Sequence, residues 1–548
     1  MAHSIYFIIV LSALVNVSCI LELTPKAESV IKRLMTCRHM PGMSLAIVSG
    51  MDNLTAGFGI ADLETNRAVD IDTLFCIGSV TKSVSVALLT DLLQDEKLNI
   101  RNCDWNIKLK DIWKDFESTD HWRTSEMSLK DILSHRTGLE SIELGNFAGY
   151  PTSITRKELV RRLKYLKELY PFRDRFHYNN LMYMLAGYVA EVIGNSTWED
   201  LINTRLFRKL GMVSSTAFYD TDIKNLSIPY TFDANTKKYS NVMNVTRVTF
   251  HPLDPAGSVL TSARDMVKWL KYKIHNVSQC YLEAVQPVVF RENGDTFIKN
   301  LFPDLDYSSK LYAMGWGVGT YRGRIIYTHS GDIYGYSAIQ VVLPEMQVAL
   351  HVNSNGPGGS EGFIAMVRIA YYLIDTVIMN IESSVNETNV CTLPDLIDIS
   401  ADEPDPYQTP KDVPNPHSYT GSYGHPIIGD FYIKYLEETD VLQCSLGINL
   451  KGVLYKTGIN DTFTLLASPP LNDLYEFKNR ALKLRFDDKS PNNGDQYQTL
   501  NVTVEWATYT FRRGVSFADF NMASGLLISC KMFCTILTIN LFIAHLLF

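Results

Sequence analysis

Ser79-Val80-Thr81-Lys82 carries the sharpest chemical signal in the chain. On a helix, positions i and i+3 share a face, so the Lys82 nitrogen comes within reach of the Ser79 hydroxyl. A serine hydroxyl is a weak nucleophile until a neighbouring group accepts its proton. At a helix N-terminus, unpaired backbone N–H groups also favour negative charge developing nearby. The chemistry would be acyl transfer through an acyl-serine. Because S-x-x-K arises by chance about twice in a chain of this size, a second match, Ser29-Val30-Ile31-Lys32, is no surprise. It lies ahead of any strand pattern and reads as an exposed helix face. No G-x-S-x-G elbow and no H-E-x-x-H pair is present. Gly315-Trp316-Gly317-Val318-Gly319 falls inside a strand pattern, not at a strand-to-helix turn, and is no dinucleotide loop. No cofactor and no metal is expected.

The elements that must position these residues are legible as patterns. An amphipathic stretch from Ala27 to Met35, the turn Pro41-Gly42 and the apolar run Ser44 to Val48 read as helix, turn and buried strand. Gly57 to Ala61 suggests a second strand, and Ser79 opens a helix with apolar positions Val84, Ala87, Leu88, Leu92 and Leu93. Residues 100 to 250 are mainly helical in pattern: Ser128 to Leu133, Arg156 to Leu169 and Asn180 to Ile193. Gly194 fits a C-cap, and Ser196-x-x-Glu199 looks like a capping box. Strand patterns return at Leu311 to Tyr321, Arg324 to Thr328, Ser337 to Leu343 and Gln347 to Val352. A long apolar helix, Phe363 to Ile378, follows. Strands at both ends with helices between them describe an α+β domain, an antiparallel sheet flanked by helices plus a helical subdomain. Residues 383–418 have the Pro-rich, acidic composition of a linker. Beyond it, residues 419–514 alternate apolar and polar with regular turn signals, as a small all-β barrel does.

Several blocks, in order, resemble the serine β-lactamase and penicillin-binding-protein family, especially its class C and D-aminopeptidase-like, peptidase S12-type branch. They are Pro41-Gly-Met-Ser-Leu-Ala-Ile-Val48, Gly57-x-Gly-x-Ala-Asp62, Thr73-Leu-Phe-x-Ile-x-Ser79-x-x-Lys82 and Asp131-Ile-Leu-Ser-His-Arg-Thr-Gly-Leu139. Leu210-Gly-Met212, Pro255-Ala-Gly-Ser258 and Arg264-Asp265-Met266 continue the series. The resemblance implies three motifs around one cleft. For the second, Y-x-N, Tyr239-Ser240-Asn241 has the commoner spelling but no helix after it, whereas Tyr178-Asn179-Asn180 opens one. Tyr178 is then expected to relay the proton to the leaving group and later activate water, and Asn180 to bond Lys82 and a substrate amide. For the third, Lys456-Thr457-Gly458 matches literally but sits in the β module. His329-Ser330-Gly331, followed by Gly335-Tyr336-Ser337, has the right surroundings. The backbone N–H groups of Ser79 and Asp332 would form the oxyanion hole. A histidine in place of lysine removes a permanent cation, and an inward Asp332 would repel anions. A neutral ester, amide or peptide is therefore expected rather than a penicillin. Tyr419-x-Gly421-x-Tyr423 and Tyr509-x-Phe511-Arg512-Arg513 resemble the two ends of the lipocalin-like barrel appended to some relatives.

Composition sets the remaining expectations. With 46% hydrophobic and 20% charged residues and a formal charge of −8, the chain carries no basic stripe, so no nucleic-acid partner is expected. The apolar run Ile5 to Val17 and the small residues before Cys19 read as a signal peptide over residues 1–19. That places the hydrolase domain at residues 20–382. Glycosylation tripeptides at Asn53, Asn195, Asn225, Asn244, Asn276, Asn386, Asn460 and Asn501 agree with a secretory route. Cys37, Cys76, Cys103, Cys280, Cys391 and Cys444 would then meet an oxidising lumen, with pairing unassigned. The apolar tail 525–548 reads as a membrane span, a GPI signal or a packed helix. The expected product is a secreted or surface serine hydrolase for a small-molecule or peptide ester or amide. The alternative is a catalytically dispensable extracellular-matrix component, such as one of a mineralised shell.

Overall fold

The computed structural model describes residues 21–98, 103–217, 223–234, 236–243, 251–292, 294, 298–299, 306–392, 410–468, 471, 482–490, 495–504 and 507–520. The leader, the apolar tail, residues 393–409 of the linker and Asn244 lie outside these residues.

In chain order, the first part contains strands β1 (Gly42–Ser49), β2 (Asp52–Asp62), β3 (Arg67–Ala68) and β4 (Phe75–Cys76). After the first helices come β5 (Tyr230–Asp233), β6 (Lys238–Asn241), β7 (Leu260–Thr261) and β8 (Val289–Phe290). Then follow β9 (Tyr307–Tyr312), β10 (Gly317–Tyr321), β11 (Arg324–Ile333), β12 (Tyr336–Leu343) and β13 (Val348–Ser354). Nine of them form one sheet in the order β3-β2-β1-β13-β12-β11-β10-β9-β8, with antiparallel pairing throughout. The N-terminal strands thus lie beside the last one, which closes the unit around its own chain ends.

Side-chain alternation explains why this sheet needs cover on both faces. Leu45 and Ile47 of β1 join one core with Val348, Leu350 and Val352, under the helices Pro25–Cys37 and Gly359–Leu373. Ala46, Val48 and Ala349 point the other way, into a second core that includes Trp269 and Leu270 of the helix Ala263–His275. Each buried Leu, Ile or Val contributes about 1.5–3 kcal/mol. The same second core takes in the helices Thr81–Leu93 and Asn180–Gly194.

Local chemistry moves several boundaries. The pattern over Arg156 to Leu169 resolves into a short helix, Arg156–Arg161, capped by Thr155 and Glu158, and a 3-10 turn, Leu163–Tyr165. The helix at Asn180 runs through Gly194, and Asn195 takes the left-handed capping position instead (φ 49°). Thr197, not Ser196, caps the next helix by accepting from the Asp200 N–H. Leu311 to Tyr321 divides into β9 and β10 around Gly315 at φ +76°. Strand β11 extends to Ile333, so His329-Ser330-Gly331 lies within a strand rather than between two. The apolar helix starts at Gly359 and turns to π geometry over Ile374–Ile378.

A disulfide joins Cys37 at the end of the first helix to Cys391, with Cα atoms 5.9 Å apart. Cys76, Cys103, Cys280 and Cys444 are thiols.

The second part is a closed eight-stranded antiparallel barrel: β14 (Gly421–His425), β15 (Gly429–Leu436), β16 (Val441–Leu446), β17 (Leu450–Lys456), β18 (Thr462–Ala467), β19 (Leu482–Ser490), β20 (Gln496–Val504) and β21 (Ala507–Arg513). Tyr423 of β14 is registered opposite Arg513 of β21, whose guanidinium donates to the Tyr423 hydroxyl and the Thr420 carbonyl. The residue blocks that mark the two ends of the barrel are therefore the ones that close it. The barrel rests on the first, sheet-containing part. Ile448 and Asn449 N–H donate to the Ala148 carbonyl at 2.9 and 2.8 Å, and the Tyr509 hydroxyl donates to the Ser141 carbonyl at 3.0 Å. Arg162 lies 3.6 Å from the Phe517 ring centroid and donates to the Pro426 carbonyl.

Asn53, Asn195 and Asn460 are exposed. The amide nitrogens of Asn225 and Asn501 instead donate to Asp70 and Asp487. The side-chain oxygens of Asn276 and Asn386 accept backbone N–H groups in their own turns.

Candidate active site

Ser79 sits in a 3-10 turn, Gly78–Val80, immediately before the helix Thr81–Leu93. Neighbouring backbone fixes the turn. The Ile77 N–H donates to the Val259 carbonyl, and the Thr81 hydroxyl accepts from the Val259 N–H. Two glycines allow the close approach of β11. A Cβ on Gly331 would stand 2.0 Å from the Ile77 oxygen and 2.9 Å from the Ser79 nitrogen. One on Gly78, at φ +49°, would stand 2.8 Å from the Asp332 nitrogen. The amides of Ser79 and Asp332 are thereby held on adjoining segments, as an oxyanion site requires.

Lys82 is fully buried. Its Nζ lies 2.9 Å from Ser79 Oγ, 2.8 Å from Asn180 Oδ1 and 2.9 Å from the Ala256 carbonyl oxygen. Burial lowers its pKa to about 7, with the nearby Glu143 carboxylate opposing the shift. A lysine that titrates near neutrality is suited to accept a proton. The Tyr178 hydroxyl donates to Ser79 Oγ at 2.8 Å. Burial pushes Tyr178 well above its ordinary range, so it remains protonated and able to donate.

Tyr178 and Asn180 flank the start of the helix Asn180–Gly194. Asn179 caps it by accepting from the Leu181 N–H, and its amide donates to the Glu140 carbonyl. The Asn179 N–H donates to His135 Nδ1 at 3.1 Å, and the His135 ring packs 4.4 Å from that of Tyr178. His135, within the sequence block from Asp131 to Leu139, thus orients the Tyr178–Asn180 turn.

His329, on β11, is buried and neutral: burial, then the Lys82 charge, holds its pKa down to about 3. Its Nδ1 lies 2.6 Å from the Ser330 carbonyl oxygen and its Nε2 lies 3.1 Å from the Tyr312 hydroxyl. Donation from Nδ1 leaves Nε2 to accept from Tyr312. Asp332 is exposed, and its carboxylate accepts from the Ser337 hydroxyl at 2.7 Å across the β11–β12 hairpin.

Ser79, Tyr178, Asn180, His329 and Asp332 all line one cavity of ≈ 870 Å³. Lys82 and Gly331 lie behind its wall. The other literal matches stand apart. Ser29 and Lys32 are on the first helix, where Lys32 pairs with Glu28. Tyr239 and Asn241 are on the β5–β6 hairpin, and Lys456 ends β17 in the barrel. The cavity also exposes Glu143, Phe147, Phe176, Arg291, Ser309 and Tyr312, none of which belongs to a motif spacing. Among the described residues no cluster of His, Cys, Asp and Glu could hold a metal.

The chain is 29% identical over 353 residues to the unguisins hydrolase ungD' of Aspergillus campestris, covering 63% of this chain and 64% of that protein. It thus spans just under two thirds of that relative's length. It is 27% identical over 244 residues to Gigasin-6 of Magallana gigas, covering 42% of this chain and 76% of the relative. In fold it is similar to the octameric penicillin-binding protein homologue from Pyrococcus abyssi, at 18% identity and a TM-score of 0.54, covering 89% of this chain and 99% of the other. It is also similar to the D-amino acid amidase from Ochrobactrum anthropi SV3, at 21% identity and a TM-score of 0.52, covering 64% and 99%. Hydrolases recur among these relatives. The Beta-lactamase family model matches residues 27–371, well over half of the chain, and the chain belongs to that family.

Proposed function

We propose that the chain is a secreted or surface serine acyl-hydrolase that cleaves ester, amide or peptide bonds through an acyl-Ser79 intermediate. One observation carries this reading: Ser79 Oγ lies within hydrogen-bond distance of both the buried Lys82 Nζ and the Tyr178 hydroxyl. Neutral Lys82 accepts the Ser79 proton as Oγ attacks the carbonyl carbon. The resulting oxyanion faces the N–H groups of Ser79 and Asp332. The carbon–leaving-group bond then breaks, and Tyr178 gives its proton to the departing oxygen or nitrogen while Lys82 re-protonates it. Water attacks the acyl-enzyme by the reverse relay, releasing the acid and restoring the Ser79 hydroxyl. The neutral His329 orients the cleft through Tyr312 and places no cation at the third motif. The Cys37–Cys391 disulfide supports the secretory part of the reading, since such bonds persist in oxidising compartments.

The test is covalent labelling of secreted, glycosidase-treated protein with a fluorophosphonate. The adduct is expected on the peptide containing Ser79. Ser79→Ala should lose it and Ser29→Ala should keep it. Equal labelling of both variants would sink the assignment. Absence of labelling in the unmodified protein would favour a matrix component that makes no use of Ser79.

A further inference from the structure

Four described cysteines lie outside the Cys37–Cys391 bond, and their surroundings differ. Cys76 donates to the Gly257 carbonyl at 3.4 Å, and Cys444 is buried on β16 in the core of the barrel. Cys103 and Cys280 instead meet each other, with their two side chains hydrogen-bonded. Cys280 is fully buried in the helix Gln279–Ala284, and Cys103 is half-buried against the same core.

Backbone contacts hold the pair together. The Cys103 N–H donates to the Leu93 carbonyl at 3.3 Å, at the end of the helix Thr81–Leu93. Trp105 spans both residues. Its backbone N–H donates to the Cys103 carbonyl at 3.2 Å, and its indole N–H donates to the Cys280 carbonyl at 3.1 Å. Two sulfurs in contact on segments this far apart in sequence meet the first requirement of a disulfide, whose S–S distance is about 2.05 Å. A role in redox catalysis does not fit. Neither thiol lines the cavity that contains Ser79, and burial, then the neighbouring Cys103 thiol, raises Cys280 above its ordinary range.

We propose that Cys103 and Cys280 close a second disulfide, which clamps the helix behind Ser79 from its far end. The oxidant is a protein or small-molecule disulfide. The Cys103 thiolate attacks it, releases one thiol and leaves a mixed disulfide. The Cys280 sulfur then gives its proton to water and displaces the second thiol. The pair loses two protons and two electrons, and the oxidant takes up both as its two thiols. Closure belongs to folding, before Cys280 is sealed from solvent. The bond fixes the Leu93 end of one helix to the helix Gln279–Ala284. At the end of the latter, the Ala284 carbonyl accepts the Met314 N–H at 3.1 Å. The next residue, Gly315, lies against Lys82, where a Cβ would stand 3.2 Å from the Lys82 backbone oxygen. The clamp therefore braces the turn that carries Lys82 as well as the far end of its helix. It does not depend on the acyl-transfer reading.

The test is peptide mapping without reduction. The full-length protein is refolded from urea in glutathione and glutathione disulfide, quenched with acid, blocked with N-ethylmaleimide and digested. Mass spectrometry should find the Cys103 peptide joined to the Cys280 peptide. Recovery of both mainly as maleimide or glutathione adducts, or joined to other cysteines, overturns the bond whatever the state of Cys37 and Cys391. The melting temperature gives a second measure. Cys103→Ser and Cys280→Ser should each lower it by about 4–10 °C, and the double variant by no more than either alone, since all three lose the same bond. Losses that add, as for two separately packed thiols, or no loss at all, overturn the clamp.

Discussion

At the scale of single residues, the environment of Lys82 decides whether the relay runs. Ser79 needs a proton acceptor, and a lysine in water is charged at neutral pH. Burial lowers Lys82 to about 7, so the accepting, neutral form grows as pH rises through that value. Ester turnover, followed as kcat/KM, should therefore climb to a plateau, with a value at pH 6 about tenfold below that at pH 8. Glu143 raises Lys82, so Glu143→Gln should move this acid limb to lower pH in a pH–rate profile. A limb that stays in place would show that another group controls it. Much of this chemistry was legible from spelling and order. Ser79, Lys82, Tyr178, Asn180 and His329 could be separated from Ser29, Tyr239 and Lys456 because only the former had the right elements around them. Arg291 and Ser309 could not be found that way. They lie at separate places along the sheet, and no spacing in the chain marks them as lining one cavity.

At the scale of elements, the site depends on charges buried behind it. Arg156, first residue of the helix Arg156–Arg161, pairs with Glu191, with Glu199 at 2.6 Å and with Asp254 at 3.2 Å. It thereby joins the helix that begins at Asn180 to the segment whose Ala256 carbonyl faces Lys82. Arg156→Met would leave three largely buried carboxylates without this cation, and burial already raises Glu191. A loss of about 3–5 kcal/mol in urea unfolding is expected, the usual cost of removing one partner from a buried ion pair. A loss below about 1 kcal/mol, the range of surface pairs, would refute that account. Periodicity located the helices but not their ends. Polar caps decided those, as at Thr155, Asn195 and Thr197, and several polar residues within a few positions compete for each cap. The strand β11 outran its apolar pattern because His329 lines the cleft and Gly331 packs against the Ser79 turn, where burial comes from neighbours rather than from apolar character.

At the scale of the whole molecule, the α+β sheet and the barrel were both readable, because each has its own alternation of apolar and polar residues. Their contact was not. It is made by the loop Gly447 to Asn449, by Tyr509 and by Arg162, against a wall that also carries Glu143 and Phe147 of the cavity. Nor could the six cysteines between the leader and the apolar tail reveal from sequence which two meet. The bond between Cys37 and Cys391 spans a sequence separation of 354 residues and ties the sheet-containing unit where its chain enters and leaves. Tension applied between residue 21 and the barrel therefore passes across that bond and bypasses the catalytic sheet. Stretched by optical tweezers from those points, the oxidised protein should release chain only from the barrel, the linker and the helix ahead of Cys37. With a reductant present, roughly 1,200 Å more should follow, at about 3.3–3.6 Å per residue. Under shear, the sheet-containing unit would remain folded while the chain attached to it lengthens.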